Sequence, residues 1–408
     1  MPTRRGQALN GLRSTYGRLA RGRLDARVGY VYAWRRALAH TLQRASDAGS
    51  GPVIDEITLD GLAARAPGTF VHECEPAETI PFSPPPVYTT RRGLLRGGPT
   101  ELRVPPMRVL DLPGGAMFGR FGHVGPNPET LITDMPTVFD VLLPSVRRQV
   151  HDARVLGQSP RAGTTASLLN LAGGNYAHAS LQVVPSFQLL SRVVDLCAVD
   201  RYLVPSGAPT VVHDALAASG VPADRVEPVD EFAPTFVCER LLCPTVLPDL
   251  AGMPPWAHSY MNDLFVPQGP IDSPERIFVI RPPGTRRQIV NGDAVHRLLE
   301  AEGFTVTAME GLTVREQAAC FANAKVIVGE HGAALANLAY ARPGTRVVEL
   351  VPVHTFSWVF PLLAVRSGLD HHVLVGTEPV APGRLRSWQV DADQVVDVAR
   401  LRELVRGT

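Results

Sequence analysis

The chain has 408 residues, of which 45% are hydrophobic and 19% charged, a balance typical of folded domains and too apolar for a wholly disordered chain. It has 40 basic and 39 acidic residues and a formal net charge of +1, so it lacks the basic excess of a dedicated nucleic-acid-binding protein. The five cysteines form no Cys-x-x-Cys pair, which favours reduced thiols in a cytosolic protein over a disulfide framework or a structural zinc site. The length predicts two or three domains.

The first fifty residues are strongly basic, with ten arginines against two aspartates. No apolar run in the sequence reaches the roughly 20 residues of a transmembrane helix, and no apolar core of a secretory signal follows the first arginines. A basic, partly amphipathic helix of this kind is suited to an anionic membrane surface. The alternatives are a helix packed on the domain and a poorly ordered leader. We predict a cytosolic protein whose residues 1–50 could contact the inner membrane face.

In chain order, the next segments are rich in turn residues. Prolines and glycines over 51–110 predict irregular structure, and residues 108–143 predict short strands and loops. An α/β pattern begins near residue 170. Its predicted elements are a helix over 177–199 interrupted by Pro185, strands over 201–205 and 225–229, a helix over 209–219, and a linker or active-site wall over 234–255, which holds five prolines.

Residues 276–376 show a regular alternation of apolar runs and amphipathic segments. Strands are predicted over 276–281, 304–309, 325–329, 346–351 and 371–376, and helices over 291–303, 313–324, 331–341 and 356–367, with Asn291 as an N-cap. This alternation predicts a parallel sheet covered by helices on both faces. Ligands of such sheets bind at the carboxyl ends of the strands.

The turn after the third of these strands has the composition of an anion site. Gly329, Gly332 and Ala333 are small enough for a ligand to approach the backbone, and the free N–H groups of the next helix favour phosphate. His331 could add a hydrogen bond or a positive charge. Glu349, predicted at the end of the next strand, could accept hydrogen bonds from ribose hydroxyls. The alternative is a packed α/β turn with a solvated Glu349.

The same segment resembles the core motif of the family 61 glycosyltransferases, a group once labelled capsular-polysaccharide biosynthesis proteins. The residues that carry the resemblance are His331, Gly332, Ala333, Asn337, Pro343, Gly344 and Glu349, with Arg281, Arg287, Asn291, Gly303, Phe304, Glu316, Gln317 and Phe321 upstream. A second block, at a helix start in the N-terminal half, consists of Gly173, Gly174, Asn175, Tyr176 and His178, with Pro185 in the helix. Three positions depart from the family pattern: Gly292 replaces a glutamate, Ala179 an aromatic residue and Gln182 an acidic residue.

The resemblance implies a GT-B fold, an α/β architecture in which two Rossmann-like domains with parallel sheets face a cleft. It implies inverting transfer of a sugar from a nucleotide-sugar, with a UDP-sugar as the expected donor and neither a metal ion nor another cofactor. The expected acceptor is a glycan, a small molecule or a protein, and polysaccharide biosynthesis is the commonest setting. The expected organisation is a basic helical leader (1–60), an acceptor-side α/β domain (61–265), a nucleotide-sugar-binding domain (266–380) and a C-terminal helical segment (381–408).

The resemblance also suggests roles for single residues. Arg281, Arg287 and His331 are expected to stabilise the leaving diphosphate, since arginine forms bidentate bonds to phosphate oxygens. The other donor-site candidates are Asn291, Gly332, Ala333 and Asn337, with Glu349 on the ribose. His178 is the candidate base for the acceptor hydroxyl, and the other acceptor-side candidates are Asn175, Tyr176, His123 and Asp111. The structural alternatives are surface ion pairs for the arginines and helix capping for His178.

Three neighbouring polar residues have no direct role in this scheme. Glu330 is expected to orient His331 or to face the cleft. His371 and His372 begin a predicted strand and are expected to be structural.

Two other functions are open at this point. A nucleotide-sugar hydrolase or epimerase on the same fold would act on its donor without an acceptor. A non-catalytic nucleotide-sugar-binding protein would bind UDP without turnover, and the departures at Gln182 and Gly292 favour it.

Overall fold

A computed structural model describes residues 54–89, 100–135, 143–170, 172–230, 232–247, 253–353, 355–379 and 392–407. The basic segment over 1–50, and with it the predicted membrane contact, lies outside these ranges. Among the residues described, no helix is both long enough and apolar enough to cross a membrane. All five cysteines lie within the described ranges, and each is a free thiol.

Strands and helices alternate along the described ranges. The strands are β1 (Asp55–Ile57), β2 (Phe70–Glu75), β3 (Glu78–Pro81), β4 (Val87–Tyr88), β5 (Glu101–Val104), β6 (Met107–Pro113), β7 (Ala116–Phe118), β8 (His123–Gly125), β9 (Thr130–Ile132), β10 (Gln158–Ser167), β11 (Arg201–Pro205), β12 (Val226–Val229), β13 (Thr235–Pro244), β14 (Arg276–Ile280), β15 (Thr305–Ala308), β16 (Val326–Glu330), β17 (Arg346–Pro352) and β18 (Asp370–Gly376). The helices are α1 (Leu59–Arg65), α2 (Leu143–Val155), α3 (Tyr176–His178), α4 (Val184–Ser191), α5 (Thr210–Ala218), α6 (Pro255–Phe265), α7 (Gly292–Ala301), α8 (Val314–Asn323), α9 (Val359–Arg366) and α10 (Val398–Arg406). A π-helical turn covers Ala179–Val183, and 3-10 helices cover Leu196–Ala198, Ala223–Arg225 and Ala333–Tyr340.

The first large sheet has the strand order β12-β11-β10-β13-β6-β2, with β7 and β8 attached beside β13. Strands β10 to β13 pair in parallel, whereas β2, β6, β7 and β8 pair antiparallel. Strand β13 corrects the linker or wall predicted over 234–255. Its prolines, Pro234 and Pro244, lie just before and at the end of the strand, where a missing N–H interrupts little of the ladder. The apolar residues between them belong to the core.

The second sheet has the order β15-β14-β16-β17-β18-β4 and is parallel throughout. Five of its strands confirm the alternation predicted over 276–376. The sixth, β4, pairs Val87 with Val373 and comes from the region predicted to be irregular. That region also forms α1, β2, β3 and β5, so the prediction for 51–110 is wrong. Its strands are short and separated by prolines, and they therefore show no clear period in the sequence.

Two predicted helices differ in the structure. The helix predicted over 177–199 consists of α3, the π-helical turn and α4, and it ends at Ser191. Pro185 lies in the first turn of α4, where the missing N–H is tolerated, and the π-helical turn precedes it. The helix predicted over 331–341 is a 3-10 helix over Ala333–Tyr340, which packs among α3, α6, α8 and α9.

The helices between the two sheets share one hydrophobic core. A single cluster includes Val109 of β6, Phe187 of α4 and Val347 of β17. Within it, the Phe265 and Tyr340 rings pack edge to face at 6.3 Å. The architecture is a mixed α/β fold with parallel sheets, in which α3 lies against the 3-10 helix that follows β16.

Candidate active site

The side chain of Arg281 contacts the backbone of His331 and Gly332 in the turn that follows β16. Arg281 follows the last residue of β14, the strand beside β16. Its Nη1 donates to the His331 carbonyl at 3.2 Å, and its Nε donates to the Arg286 carbonyl at 3.0 Å. A Cβ at position 332 would lie 2.3 Å from Nη1, so this approach requires glycine. Three predicted donor-site residues therefore meet at the carboxyl ends of two neighbouring strands.

Glu349 is buried behind His331. Strand β17 continues to Pro352, so the prediction that this strand ends at Glu349 is wrong. One carboxylate oxygen lies 2.5 Å from Nδ1 of His331, and the other lies 3.3 Å from Nε2 of His371. Burial by itself would raise the pKa of Glu349, but the two histidines outweigh it and lower the pKa to about 2. Only 1% of Glu349 is exposed, so the ribose contact stays a prediction that this geometry does not favour.

The loop between β14 and α7 holds two further predicted residues. Arg287 is buried and has a φ of 64°, a left-handed conformation that costs a non-glycine residue about 1–3 kcal/mol. Asn291 lies at the N-cap position of α7, but its side chain does not cap the helix, so the predicted capping bond is wrong. Its amide instead accepts from and donates to the backbone of Val396, at 2.9 and 2.8 Å. The phosphate contacts of both residues stay predictions.

A pocket of about 360 Å³ opens beside Arg281. It is lined by the end of β14, the loop that follows, the first turns of α7, and Glu330. Burial raises the pKa of Glu330 to about 7, although the backbone N–H and the charge of Arg281 act in the opposite direction. A carboxyl group with this pKa gains or loses a proton near neutral pH.

The second sequence block meets the first through Tyr176. Its hydroxyl donates to Oδ1 of Asn337 at 2.7 Å, and Nδ2 of Asn337 donates to Gln317 at 2.9 Å. Burial raises the pKa of Tyr176 to about 12, so the phenol keeps its proton and acts as the donor. Asn175 caps α3, since its side-chain oxygen accepts from N–H groups of the first turn. Tyr176 and Asn337 therefore join the two blocks, and Asn175 starts the helix.

His178 is held by Gln182, one turn further along the helix. Nδ1 of His178 lies 2.7 Å from Oε1 of Gln182. The amide nitrogen of Gln182 donates to the Leu247 carbonyl, which fixes the orientation of the amide, so Oε1 accepts the hydrogen on Nδ1. Burial lowers the pKa of His178 to about 4, and the bond to Gln182 offsets only part of this shift. His178 is therefore a neutral imidazole at pH 7, with its lone pair on Nε2.

The other two acceptor-side candidates lie on strands of the first sheet. Asp111 in β6 accepts two hydrogen bonds from the guanidinium of Arg240, at 3.0 and 2.8 Å. His123 in β8 lies 2.5 Å from Gln149, and burial lowers its pKa. These contacts tie strands and helices together, and acceptor binding by either residue stays a prediction.

The charged groups of this region are organised as ion pairs and hydrogen bonds. Within the described ranges, no group of three or more His, Cys, Asp or Glu side chains is arranged to hold a metal ion. The sequence contains an Asp-x-Asp segment over 391–393, and of it Asp393 accepts the Gln288 N–H at 2.8 Å.

A comparison with known protein families matches residues 176–348 to the family described as Glycosyltransferase 61. This stretch is a glycosyltransferase family 61 domain. The chain is therefore a glycosyltransferase, as the resemblance implied. No curated protein gives a significant match to the sequence. The family 61 domain includes His178, Arg281 and His331, and it ends one residue before Glu349.

Sequence reasoning missed the contacts of two groups, His371 and the carbonyl of Leu247. His371 contacts Glu349, and it could have been found from the sheet register, because it lies two residues before Val373, the neighbour of Glu349 on β18. The Leu247 carbonyl accepts from Gln182 and lies in the segment that was predicted as a linker or active-site wall. A backbone carbonyl does not depend on the residue type, so the sequence gives no signal for this partner.

Proposed function

We propose that this glycosyltransferase transfers a sugar from a nucleotide-sugar, with a UDP-sugar as the expected donor, to a hydroxyl group of its acceptor. The transfer inverts the anomeric carbon and uses no bound metal ion. The observation that carries the proposal is the hydrogen bond between Tyr176 and Asn337. It holds the helix that bears His178 against the 3-10 helix that begins after Gly332. This contact supports placing a base for the acceptor and cationic groups for the leaving diphosphate in one site.

Arg281 and His331 stabilise the leaving diphosphate, Arg281 through its positive charge and His331 through a hydrogen bond or a charge. The guanidinium of Arg281 is already held by two backbone carbonyls, so little side-chain entropy is lost when an anion binds. Fixed cations of this kind stabilise charge as it develops, because they need no reorganisation during the reaction. Arg287 adds a second guanidinium from the loop, and the pocket beside Arg281 receives part of the donor.

His178 takes the proton of the acceptor hydroxyl through Nε2. The hydrogen bond from Nδ1 to Gln182 selects the tautomer with a lone pair on Nε2. With a pKa of about 4 the ring is a weak base. The hydroxyl proton becomes strongly acidic, however, as the hydroxyl oxygen bonds to the anomeric carbon. The proton therefore moves as the new C–O bond forms, while the diphosphate leaves from the opposite face of the sugar.

The proposal includes a GT-B arrangement, with an acceptor side over 61–265 and a donor side over 266–380. The helices of the two sheets meet at the site, which supports this division. Strand β4 belongs to the first range by sequence and to the second sheet by pairing, so one strand crosses the division. The acceptor, which is a glycan, a small molecule or a protein, enters from the first-sheet side. Five free thiols support a cytosolic location.

A non-catalytic nucleotide-sugar-binding protein is the second candidate. One observation favours it: Gln182 cannot ionise, and the pKa of its partner His178 is lowered to about 4. This candidate predicts that UDP binds while no sugar is transferred or released. A hydrolase or epimerase predicts turnover of the nucleotide-sugar in the absence of any acceptor.

Isothermal titration calorimetry with UDP tests the donor site. We expect Arg281→Ala and His331→Ala each to weaken UDP binding more than tenfold, which corresponds to about 1.4 kcal/mol. Arg103→Ala is the matched control, because this exposed arginine on β5 pairs with Glu101 of the same strand. UDP affinity that is unchanged in both test variants would refute the donor site. Loss of UDP-sugar turnover in EDTA would refute the metal-independent reaction.

A further inference from the structure

The carboxylate of Glu349 lies between two imidazole rings in the second sheet. On the neighbouring strands, Glu349 is opposite Gly329 of β16 and Val373 of β18. Side chains alternate along a strand, so His371, two residues before Val373, projects from the same face as Val373. His331 follows the end of β16 and lies on the other side of the carboxylate. Three successive parallel strands therefore build the row His371, Glu349, His331.

The backbone and the ring of His331 are also fixed by their contacts. Its N–H donates to the Leu350 carbonyl at 2.9 Å, and its carbonyl accepts from Arg281. Its ring packs edge to face on Phe360, with the centroids 5.3 Å apart. Nδ1 is taken by Glu349, and Nε2 makes no hydrogen bond to any residue within the described ranges. Nε2 is therefore the atom that the fold leaves for a ligand.

The electrostatics of the row favour hydrogen on Nδ1 of His331. A carboxylate acts only as an acceptor, and a buried anion is costly unless hydrogen-bond donors surround it. Glu349 is fully buried, and its pKa is lowered to about 2, so it is an anion at neutral pH. The charged and titratable groups around His331 are Glu349 and His371 behind Nδ1, Arg281 on its carbonyl, and Glu330 before it in the chain.

We propose that Glu349 is a positioning residue that acts through His331: it accepts the Nδ1 hydrogen and so directs Nε2 toward the leaving diphosphate. Nε2 of His371 lies 3.3 Å from the second oxygen of the carboxylate, without a hydrogen bond between them. The proposal rests on the diphosphate site of the proposed function, and it replaces the ribose contact expected for Glu349. A diphosphate beside Nε2 would place the ring between two anions, and only a ring with hydrogen on both nitrogens donates from Nε2 to a phosphate oxygen.

The first experiment needs no ligand and no change at Glu349. Long-range ¹H–¹⁵N NMR of histidine-labelled protein reports which ring nitrogens of His331 carry hydrogen, and the His331 signals are assigned by their loss in His331→Ala. We expect hydrogen on Nδ1 in the parent protein at neutral pH. A neutral ring with a bare Nδ1 would overturn the proposal.

The second experiment separates the diphosphate from the ribose. Calorimetry with pyrophosphate and with uridine, as separate probes, is applied to the parent and to Glu349→Gln. We expect pyrophosphate binding to weaken about tenfold and uridine binding to stay within twofold. A loss confined to uridine would restore the ribose contact and overturn the proposal. Glu227→Gln is the matched control, because it removes a paired carboxylate from β12 of the first sheet.

The third experiment asks whether Glu349 acts through His331. In a His331→Ala background, Glu349→Gln should change pyrophosphate affinity less than twofold, since the residue it positions is gone. A further tenfold loss in that background would show an independent action and refute the proposal. Thermal unfolding of each variant identifies a loss of folding, in which case the NMR result on the parent decides. A parent that binds neither UDP nor pyrophosphate would refute the proposed function, and NMR would still test the bond between Glu349 and Nδ1.

Discussion

Tyr176→Phe removes one hydroxyl at the junction of the two sequence blocks. Asn337 is fully buried, its Oδ1 accepts from that hydroxyl, and its Nδ2 is occupied by Gln317. Phenylalanine keeps the packing of the ring, so the substitution leaves a buried acceptor without its donor. An unsatisfied buried group of this kind costs about 1–3 kcal/mol. We expect the free energy of unfolding to fall by that amount.

Denaturant unfolding of the parent and the variant measures this loss, which should appear as a lower midpoint with an unchanged slope. Tyr202→Phe is the matched control. Tyr202 is also buried, and its hydroxyl donates to the Leu196 carbonyl at 2.8 Å, within the first-sheet half. Both variants should lose comparable stability. Only Tyr176→Phe should also slow sugar transfer, because only that hydroxyl holds the helix of His178 to the donor side.

Two results would contradict this reasoning. A Tyr176→Phe protein as stable as the parent would show that the hydroxyl does not satisfy Asn337. An equal loss of activity in Tyr176→Phe and Tyr202→Phe would show that activity follows global stability and not the junction. A double-mutant cycle with Asn337→Ala isolates the pair, and we expect a coupling free energy of about 0.5–3 kcal/mol.

Three further substitutions test the donor site, the neighbouring core and the raised pKa of Glu330. Gly332→Ala places a Cβ 2.3 Å from Nη1 of Arg281, so we expect UDP affinity measured by calorimetry to fall about tenfold with little loss of stability. Gly329→Ala, whose Cβ would lie 2.4 Å from Cδ2 of Leu335, should mainly lose stability. The same pattern in both variants would contradict the assignment of Gly332 to the donor site. The pKa of Glu330 is raised from 4.5 to about 7, so the folded protein keeps a proton that the unfolded chain releases, and the free energy of unfolding falls as pH rises through that window. Glu330→Gln should therefore gain stability relative to the parent above pH 7, by at most about 3 kcal/mol, but not near pH 4, and a difference that is constant with pH would contradict the shift.

The second sheet could be predicted from the sequence because its central strands β14, β16 and β17 are buried on both faces. Such strands are continuous apolar runs, and one of the helices between them begins at the Thr313–Glu316 capping box, which the sequence predicts and the structure contains. The first sheet is harder. Its central strand β13 begins and ends beside prolines, and its antiparallel partners are short, so local pattern predicts a linker where tertiary pairing forms a strand.

The grouping of some candidate residues at one edge of the sheet could be predicted from the sequence, but their contacts could not. His331, Gly332 and Arg281 could be grouped because carboxyl ends of parallel strands meet at one edge. The burial of Glu349 was not predicted, because β17 continues three residues beyond Glu349 and because His371 of the next strand covers the carboxylate. The Asn291 amide was predicted as a cap, yet its partner is the backbone of Val396, more than a hundred residues away in sequence.

The departure from the family pattern at Gln182 has a physical reason in the structure. The Leu247 carbonyl requires a hydrogen-bond donor at this position, and the amide nitrogen of Gln182 supplies it. A carboxylate at position 182 would place an acceptor opposite that carbonyl, which is also an acceptor. Only the protonated carboxylic acid could donate to the carbonyl, and that form carries no charge. The backbone beside His178 therefore disfavours a charged partner at position 182, and the glutamine fixes the tautomer without raising the pKa of the ring to neutral values. If His178 is the base, proton transfer must be concerted with C–O bond formation, because a ring with a pKa of about 4 does not deprotonate a free hydroxyl beforehand.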